Sequence, residues 1–304
     1  MQRPSAQEVH VDAPLTDVSI KFNNSEFIHD KIFPTVTVKK QSDLFFMYGK
    51  ENFKAVNDER APGDEARTIF STLSTGQYFC RAHSLKDKVP DEVKDNADTP
   101  IEPEVDATEN VTERLLLNKE KRVKACVHSI SAGVTVTNKW DSTLGGAPDK
   151  EILAGVAYIH SKVFKIANKI IIPYQVAVAL TTNPVIKEIV KYTMNILQIG
   201  SAILLPNPLW GMEVLIAGAG ENTQNLGQGE TLSYVWGKDV ILAYVNPSPG
   251  LKRLSLGYVF QWKTRETSKW YEKKEKSTYV QVEEYCDEKI ISLDCGYKLA
   301  AAIS

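Results

Sequence analysis

Cysteine is scarce, and its placement excludes more than its number does. The four cysteines, Cys80, Cys126, Cys286 and Cys295, are spread over 304 residues and no two form a CxxC pair. Zinc-ribbon and thioredoxin-type chemistry therefore lack their signature spacing, and buried free thiols in a reducing compartment are expected. Long apolar runs are also missing. IIIPYQVAVAL, residues 170–180, carries a proline and has only about half the roughly 20 residues of a membrane span. The start, MQRPSAQEVHVDAPL, lacks the apolar core of a secretory signal, so synthesis in a cytoplasm is expected and the sequons at Asn23 and Asn110 carry no weight. No charge of one sign dominates: the formal net charge is −2, which offers no global basic field for nucleic acid. His10, His29, His83, His128 and His160 are dispersed, without HxH or HExxH, and no GxSxG elbow is present. No catalytic residue, metal or cofactor is expected, and no internal repeat stands out.

What is present is one long amphipathic segment. ATENVTERLLLNKEKRVKACVHSI, residues 107–130, is free of Gly and Pro. Val111, Leu115, Leu116, Val123, Cys126, Val127 and Ile130 fall mostly three and four apart, which predicts a single helix about 36 Å long. Glu109 and Glu113 sit early and Lys119, Lys121, Arg122 and Lys124 late, as a helix dipole favours. A helix of this length needs an equally long surface to lie on. Its charges, with Glu113, Arg114, Lys119, Lys121, Arg122 and Lys124 as the candidates, face either an enclosed polyanion or solvent.

Around this helix the chain alternates between strand and helix signals, which gives an α+β class. Residues 1–33 read as an extended arm that docks on another surface. PTVTVKKQSDLFFMY and RTIFSTLSTGQYFCRAHS read as β-rich segments flanking a polar stretch with an Ala-Pro-Gly-Asp turn, the outline of a long two-stranded excursion. Such a hairpin is marginal alone and must lie on its own body or on a neighbour. Residues 85–106 are acidic, hold three prolines and predict a short helix near 91–97 followed by a loop. This acid run is either a solvated face or a surface that pairs with a basic patch on another copy. After the long helix come a short strand, a helix over KEILAGVAYIHSKVFKIANK capped by Asp149, a buried strand over 170–180, and a helix capped by Asn183 with Pro184 first. SAILLP and MEVLIAG read as strands. GAGENTQNLGQG has Thr223 where a dinucleotide fingerprint needs glycine, lacks GK[ST] and precedes a strand, so a loop is favoured over a nucleotide site. DVILAYV, LSLGYVFQW, STYVQVEEY and KIISLDCGYKLA read as strands. Lys263, Arg265, Lys269, Lys273, Lys274 and Lys276, with Trp270 and Tyr271, form a basic segment diluted by Glu266, Glu272 and Glu275. A solvated or intersubunit loop is favoured there over nucleic-acid binding.

Taken together, these segments resemble the major capsid proteins of tailed bacteriophages, which share the Hong Kong 97-like fold. The resemblance covers nearly the whole chain from about residue 22. KFNNSEFIHDKIFPTVTVKKQSDLFFMYGKENF is similar to the family's arm and extended loop (E-loop), and ENVTERLLLNKEKRVKA to its spine helix. IIIPYQVAVAL with NPVIKEIV is similar to the opening of the axial (A) domain. YVWGKDVILAYVNP, LSLGYVFQW and VEEYCDEKIISLDCGYKLAAAI are similar to the late strands and the closing segment. The order and spacing of these phrases carry the resemblance.

The resemblance implies an N-terminal arm over 1–33 and an E-loop over 34–84. It implies a peripheral (P) domain over 85–170 and 256–285, with its spine helix at 107–130, and an A domain over 171–255 and 286–304. It implies a non-enzymatic structural protein. Hexamers and pentamers would tile an icosahedral shell around double-stranded DNA, and the shell would expand on maturation. Expected partners are the chain itself, a separate scaffolding protein (the initiating methionine favours a separate one), a portal protein, and packaged DNA by non-specific contact, with no membrane; the presence of decoration proteins is left open. The location implied is the virion, after assembly in the host cytoplasm. Phe45, Phe46, Tyr48, Tyr78 and Phe79 are the candidate subunit-interface residues. Lys39, Lys40, Lys50 and Lys54 lie in or near the E-loop, but no matching asparagine and acid are evident, and no isopeptide crosslink is expected. The competing readings are an encapsulin-type shell of the same fold and, from another class, a nucleotide-dependent enzyme built on GAGENTQNLGQG.

Overall fold

The computed structural model describes residues 10–21, 24, 26–48, 54–60, 62–63, 65–66, 68–69, 73–97, 102–142, 146–193, 205–224 and 229–304. The chain opens with β1 (His10–Val11), α1 (Ala13–Lys21), α2 (His29–Ile32), β2 (Thr35–Thr37) and β3 (Ser42–Tyr48). It continues with β4 (Leu73–Phe79), β5 (Arg81–Pro90), α3 (Asp91–Asp95) and the long α4 (Pro103–His128). Then follow β6 (Gly133–Thr135), α5 (Pro148–Val163), β7 (Lys169–Pro173), α6 (Tyr174–Thr182), α7 (Pro184–Thr193), β8 (Glu213–Ala217), β9 (Gly220–Asn222) and β10 (Leu232–Tyr234). The last strands are β11 (Val240–Ala243), β12 (Gly257–Glu272), β13 (Ser277–Ile290) and β14 (Gly296–Ala300).

These elements build two five-stranded sheets. The first runs β1-β12-β13-β5, with β2 parallel to β12, and the second runs β6-β14-β11-β7-β8. β3 pairs with β4, and β9 with β10, as separate two-stranded ribbons. α4 lies along the first sheet, with Val111 and Leu115 on Val282. Its last turns, through Val123 and Val127, and Ile130 just beyond them, enter the main core with the second sheet. At 26 residues it is about 39 Å long. Its Thr108 and Thr112 hydroxyls donate back to the Glu104 and Thr108 carbonyls at 2.8 and 2.7 Å, and Thr112 meets Ser19 of α1 at 2.9 Å.

Several expectations shift. The long helix begins at Pro103, not at 107, because proline fits the first helical position, whose N–H has no intrahelical acceptor; it ends at His128. Part of the expected arm is helical, as α1, while residues 1–9 lie outside the described residues. The segment 170–180 divides into β7 and α6 at Pro173. Proline offers no ladder donor, and Val176, Ala177 and Leu180 then bury one helical face. α5 starts at Pro148, and Asp149 sits inside its first turn without a capping bond. Asn183 does cap, accepting the Val185 N–H at 3.0 Å. The basic segment 263–276 is mostly strand: β12 runs to Glu272, with irregular pairing between Gln261 and Glu266, and four residues remain as a tip before β13. β6 and α5 pack with the second sheet. β5, the end of the expected E-loop and the start of the acid run, pairs with β13 over ten residues. The strand expected at SAILLP falls largely outside the described residues.

Candidate functional site

The side chains singled out by sequence are mostly engaged within the chain. Phe45 and Tyr78, from β3 and β4, are buried and stack on Phe260 of β12 at centroid distances of 5.3 and 4.7 Å. The Phe45 ring also lies across Gly76, where an added Cβ would come within 2.3 Å of it, so the glycine makes room for the aromatic beside it. The apolar burial expected of these two residues against a neighbour is thus found within the chain. Phe46 is half-buried, with Lys252 Nζ 5.8 Å from its ring centroid. Leu44 and Phe79 are half exposed and free to meet another surface. The Tyr48 side chain lies outside the described residues.

The charges of α4 divide between clamp and surface. Lys119 is buried. Arg122 forms a forked pair with Glu288 of β13, its Nη2 and Nε 2.9 and 3.1 Å from Oε1. Lys121 reaches Glu221 of β9 at 2.6 Å. Glu113 accepts from Asn24 at 3.1 Å, Arg114 is exposed, and Lys124 is half-buried. Of the six candidates, Arg114 most plainly faces outward.

Sequence reasoning passed over the centre of this arrangement. Glu120 is fully buried and collects donors from two distant segments. It accepts the His29 N–H at 2.9 Å, His29 Nδ1–H at 2.8 Å, the Ile28 N–H at 3.2 Å and Trp236 Nε1–H at 2.6 Å. One carboxylate therefore ties the N-terminal segment and the β10–β11 turn to the long helix. A second buried carboxylate stands on β13. Glu284 is 1% exposed and accepts from Arg265 Nη2 at 3.3 Å, while Arg265 Nη1 donates to the Ser19 carbonyl at 2.9 Å. Burial pushes Glu284 up, but Lys119, Arg265 and Arg122 outweigh it and hold its carboxyl below the usual range.

One group has metal-ligand character. His83, Cys286 and Glu288 each bring a ligand atom to within 4.8 Å of one another. The residues do not fit a metal. Arg122 already satisfies Glu288 and stands 3.7 Å from Cys286 Sγ. Burial, with Glu284 and Glu288 beside it, pushes the Cys286 thiol far up, so it keeps the proton a metal would have to displace. Cys80 and Cys295 are likewise pushed up, to about 11 and about 12, chiefly by burial. The glycine-rich segment forms the β9–β10 ribbon, with residues 225–228 outside the described residues. No helix N-terminus follows it among the described residues, so the strand–loop–helix arrangement of a dinucleotide or P-loop site is not formed by them.

The described surface also exposes several large apolar side chains. The outer face of α5 and the turn after it expose Leu153, Ala154, Ala157, Phe164 and Ile166, with Phe164 58% and Ile166 66% exposed. Tyr174 of α6 and Tyr234 of β10 stack at 5.8 Å beside exposed Val178 and Leu232. Exposed apolar side chains grouped in this way are candidates for contact with another surface.

No family model matches the chain. The major capsid protein of Burkholderia phage BcepMu is 24% identical to it over 243 residues, 77% of this chain and 76% of that protein. The crystal structure of a phage-related protein from Bordetella bronchiseptica RB50 matches with a TM-score of 0.72 at 23% identity, over 96% of this chain and 97% of the other. The mature capsid of bacteriophage PhiM1 matches at TM-score 0.55 and 10% identity, over 98% and 91%. A virus-like particle from Pyrococcus furiosus matches at 0.51 and 12%, over 94% and 95%. The chain thus has the mixed α+β fold of phage capsid subunits, and the curated proteins it resembles in sequence are major capsid proteins of phages.

Proposed function

We propose that this chain is the major capsid protein of a tailed double-stranded DNA bacteriophage, assembling with copies of itself into the icosahedral shell of the virion. The observation that carries this reading is the likeness to the phage BcepMu major capsid protein over three quarters of both chains, on a fold shared with capsid subunits over nearly the full length. Its role is architectural, through surfaces rather than reactive groups.

In this reading, residues 1–33 are the arm, and the β3–β4 ribbon is the root of an E-loop that extends over a neighbouring subunit. The first sheet with most of α4 is the P domain, and the second sheet with α5, α6 and α7 is the A domain around the ring axis. The exposed faces of α5 and of the Tyr174–Tyr234 pair meet adjacent subunits in hexamers and pentamers. Many weak contacts suffice, because closure of a shell multiplies them. Scaffolding and portal proteins act as separate partners in the host cytoplasm, DNA is enclosed without sequence preference, and the shell expands as DNA enters.

Negative-stain electron microscopy of the chain, expressed alone and with its neighbouring genes, tests the reading. Closed shells or rings of five and six are expected, and a subunit that stays monomeric with its gene neighbours present would refute it. Deleting residues 49–66, a range mostly outside the described residues or exposed, is expected to leave a folded subunit that assembles poorly. The likeness to the Pyrococcus furiosus particle favours one second reading, an encapsulin-type compartment. Particles from infected cells that hold DNA support the phage capsid, and particles that hold protein cargo support the compartment.

A further inference from the structure

The far end of the first sheet carries two clusters of opposite charge side by side, and neither is held in ion pairs among the described residues. A groove of about 710 Å³ lies between the end of β5, α3 and the first turns of α4. Its floor includes Val89, Val93 and Ala107, and Asp87, Glu92 and Asp106 stand along it. These three carboxylates have no ion-pair partner among the described residues. One lysine, Lys88, also lines the groove, but its ammonium is held by Glu275 at 2.9 Å.

The β12–β13 turn projects beside this groove. The Asp91 N–H donates to the Lys276 carbonyl at 3.0 Å, and Ser277 pairs with Pro90. Lys273, Lys274 and Lys276 are all exposed on the turn, again without an ion-pair partner among the described residues. The nearby charges are already used. Lys94 and Lys269 pair with Glu104, and the Tyr271 hydroxyl donates to Asp91 at 2.6 Å. What remains over is an acidic groove with an apolar floor, and a basic tip that is joined through the backbone to the groove's wall.

We propose that the lysine tip of one copy of this chain docks into the acidic groove of the next copy. The tip cannot fold back into its own groove, because β13 and β5 hold the two in fixed register. A rotation about an axis near this end presents each tip to the following copy's groove, so every tip and every groove is occupied when the ring closes. Polyanions fit the tip but are repelled by the groove, whereas a second copy satisfies both. This inference rests on the shell reading above and names the residues of one contact within it.

Charge reversal in the full-length chain tests it. The variants are Lys273→Glu with Lys274→Glu, Glu92→Lys with Asp106→Lys, and all four together, produced with the neighbouring genes and scored by sedimentation and electron microscopy. Melting temperature confirms that each variant folds. Each pair of reversals is expected to lower particle yield about tenfold or more, because one weakened contact repeats throughout the assembly. The fourfold variant is expected to regain assembly, and salt of about 0.5 M is expected to weaken the wild type. Either pair assembling like the wild type, or a folded fourfold variant no better than the pairs, overturns the contact while leaving the shell reading intact. If the wild type forms no particle, the shell reading fails. Low-salt sedimentation velocity then decides the contact alone: a monomer overturns it, and a salt-sensitive oligomer abolished by either pair of reversals supports it.

Discussion

Replacing Glu120 tests whether one buried carboxylate holds three parts of the chain together. Its Oε2 faces the His29 N–H, the His29 ring and the Ile28 N–H, and its Oε1 faces the Trp236 indole at 2.6 Å. In Glu120→Gln one oxygen becomes an amide NH2. Turned toward Trp236, that NH2 opposes another donor at 2.6 Å; turned toward residues 28–29, it opposes two backbone N–H groups. At least one donor is left buried without an acceptor either way. A hydrogen bond to a charged group contributes about 1.5–3 kcal/mol, and an orphaned buried donor costs about 1–3 kcal/mol. The expected loss is about 3 kcal/mol for Glu120→Gln, and about 4–5 kcal/mol for Glu120→Leu, which removes every acceptor. For a chain of this size about 3 kcal/mol lowers Tm by roughly 6–10 °C. Denaturant unfolding of the unassembled subunit gives the magnitude. The indole N–H resonance of Trp236 and amide exchange at Ile28 and His29 give the location. A Glu120→Gln subunit within about 0.5 kcal/mol of wild type, with amide protection at Ile28 and His29 unchanged, would refute the reasoning.

Two further outcomes follow from the same contacts. Glu284 has a carboxyl held below its ordinary range by Lys119, Arg265 and Arg122. The unfolded chain therefore takes up that proton first as acid is added, at a pH near the ordinary Glu value of about 4.3. Its stabilisation is full above that pH and is lost as the pH falls through the depressed folded value. Glu104, lowered against its own burial by Lys94 and Lys269, acts in the same direction. Acid titration of wild type and Glu284→Gln, followed by tryptophan fluorescence, should show a shallower acid limb in the variant. Phe45→Ala removes one of the two rings stacked on Phe260, a truncation that costs about 3–5 kcal/mol in a closed core. In a two-stranded ribbon the effect is capped by the ribbon's own opening energy, so amide exchange should rise in β3 and β4 while β12 and β13 stay protected. Equal loss of protection in all four strands would contradict it.

The parts of this fold that could be read from sequence are those where residue type and position agree. In α4, leucines and valines repeat every three to four residues, and tertiary packing uses that stripe as it stands. The β3–β4 pair is legible because aromatics mark both strands. The missed elements are those where type and position disagree. Beyond Trp262, β12 carries Lys263, Arg265, Glu266, Lys269 and Glu272, and reads as a loop until β13 is seen pairing with it, irregularly up to Glu266 and residue by residue from there to Glu272. α1 is short and only weakly apolar, and it is held by Ser19, Thr16 and Asp12 as much as by Leu15. Pro103 reads as a break by residue type alone. It begins a helix instead, because the first helical position has no use for an N–H.

The same conflict hides the charges that matter most. Lys119 and Glu120 belong to a run, Asn118 to Lys124, whose composition announces solvent. Their positions announce the core: Leu116 lies three and four residues before them, and Val123 four and three residues after. A helix cannot bury Leu116 and Val123 on one face and keep both intervening side chains in water. Position was the signal, and it outranks residue type whenever buried partners of opposite charge or complementary hydrogen-bonding capacity exist to receive the polar group. Here they do, as His29 and Trp236 for Glu120, and as Glu284 for Lys119, with Arg265 beside it. Each comes from an element far from α4 in the chain. That is why the clamp could not be seen locally. The helix presents ions inward along one turn, and distant segments are selected by whether they can answer those ions. Lys273, Lys274 and Lys276 form the contrasting case. They occupy a turn, where no neighbouring apolar position pulls them inward, and the structure leaves them exposed. Charges set between buried positions of a stripe are drawn into the chain's own fold, and these three, on no stripe, stay at the surface.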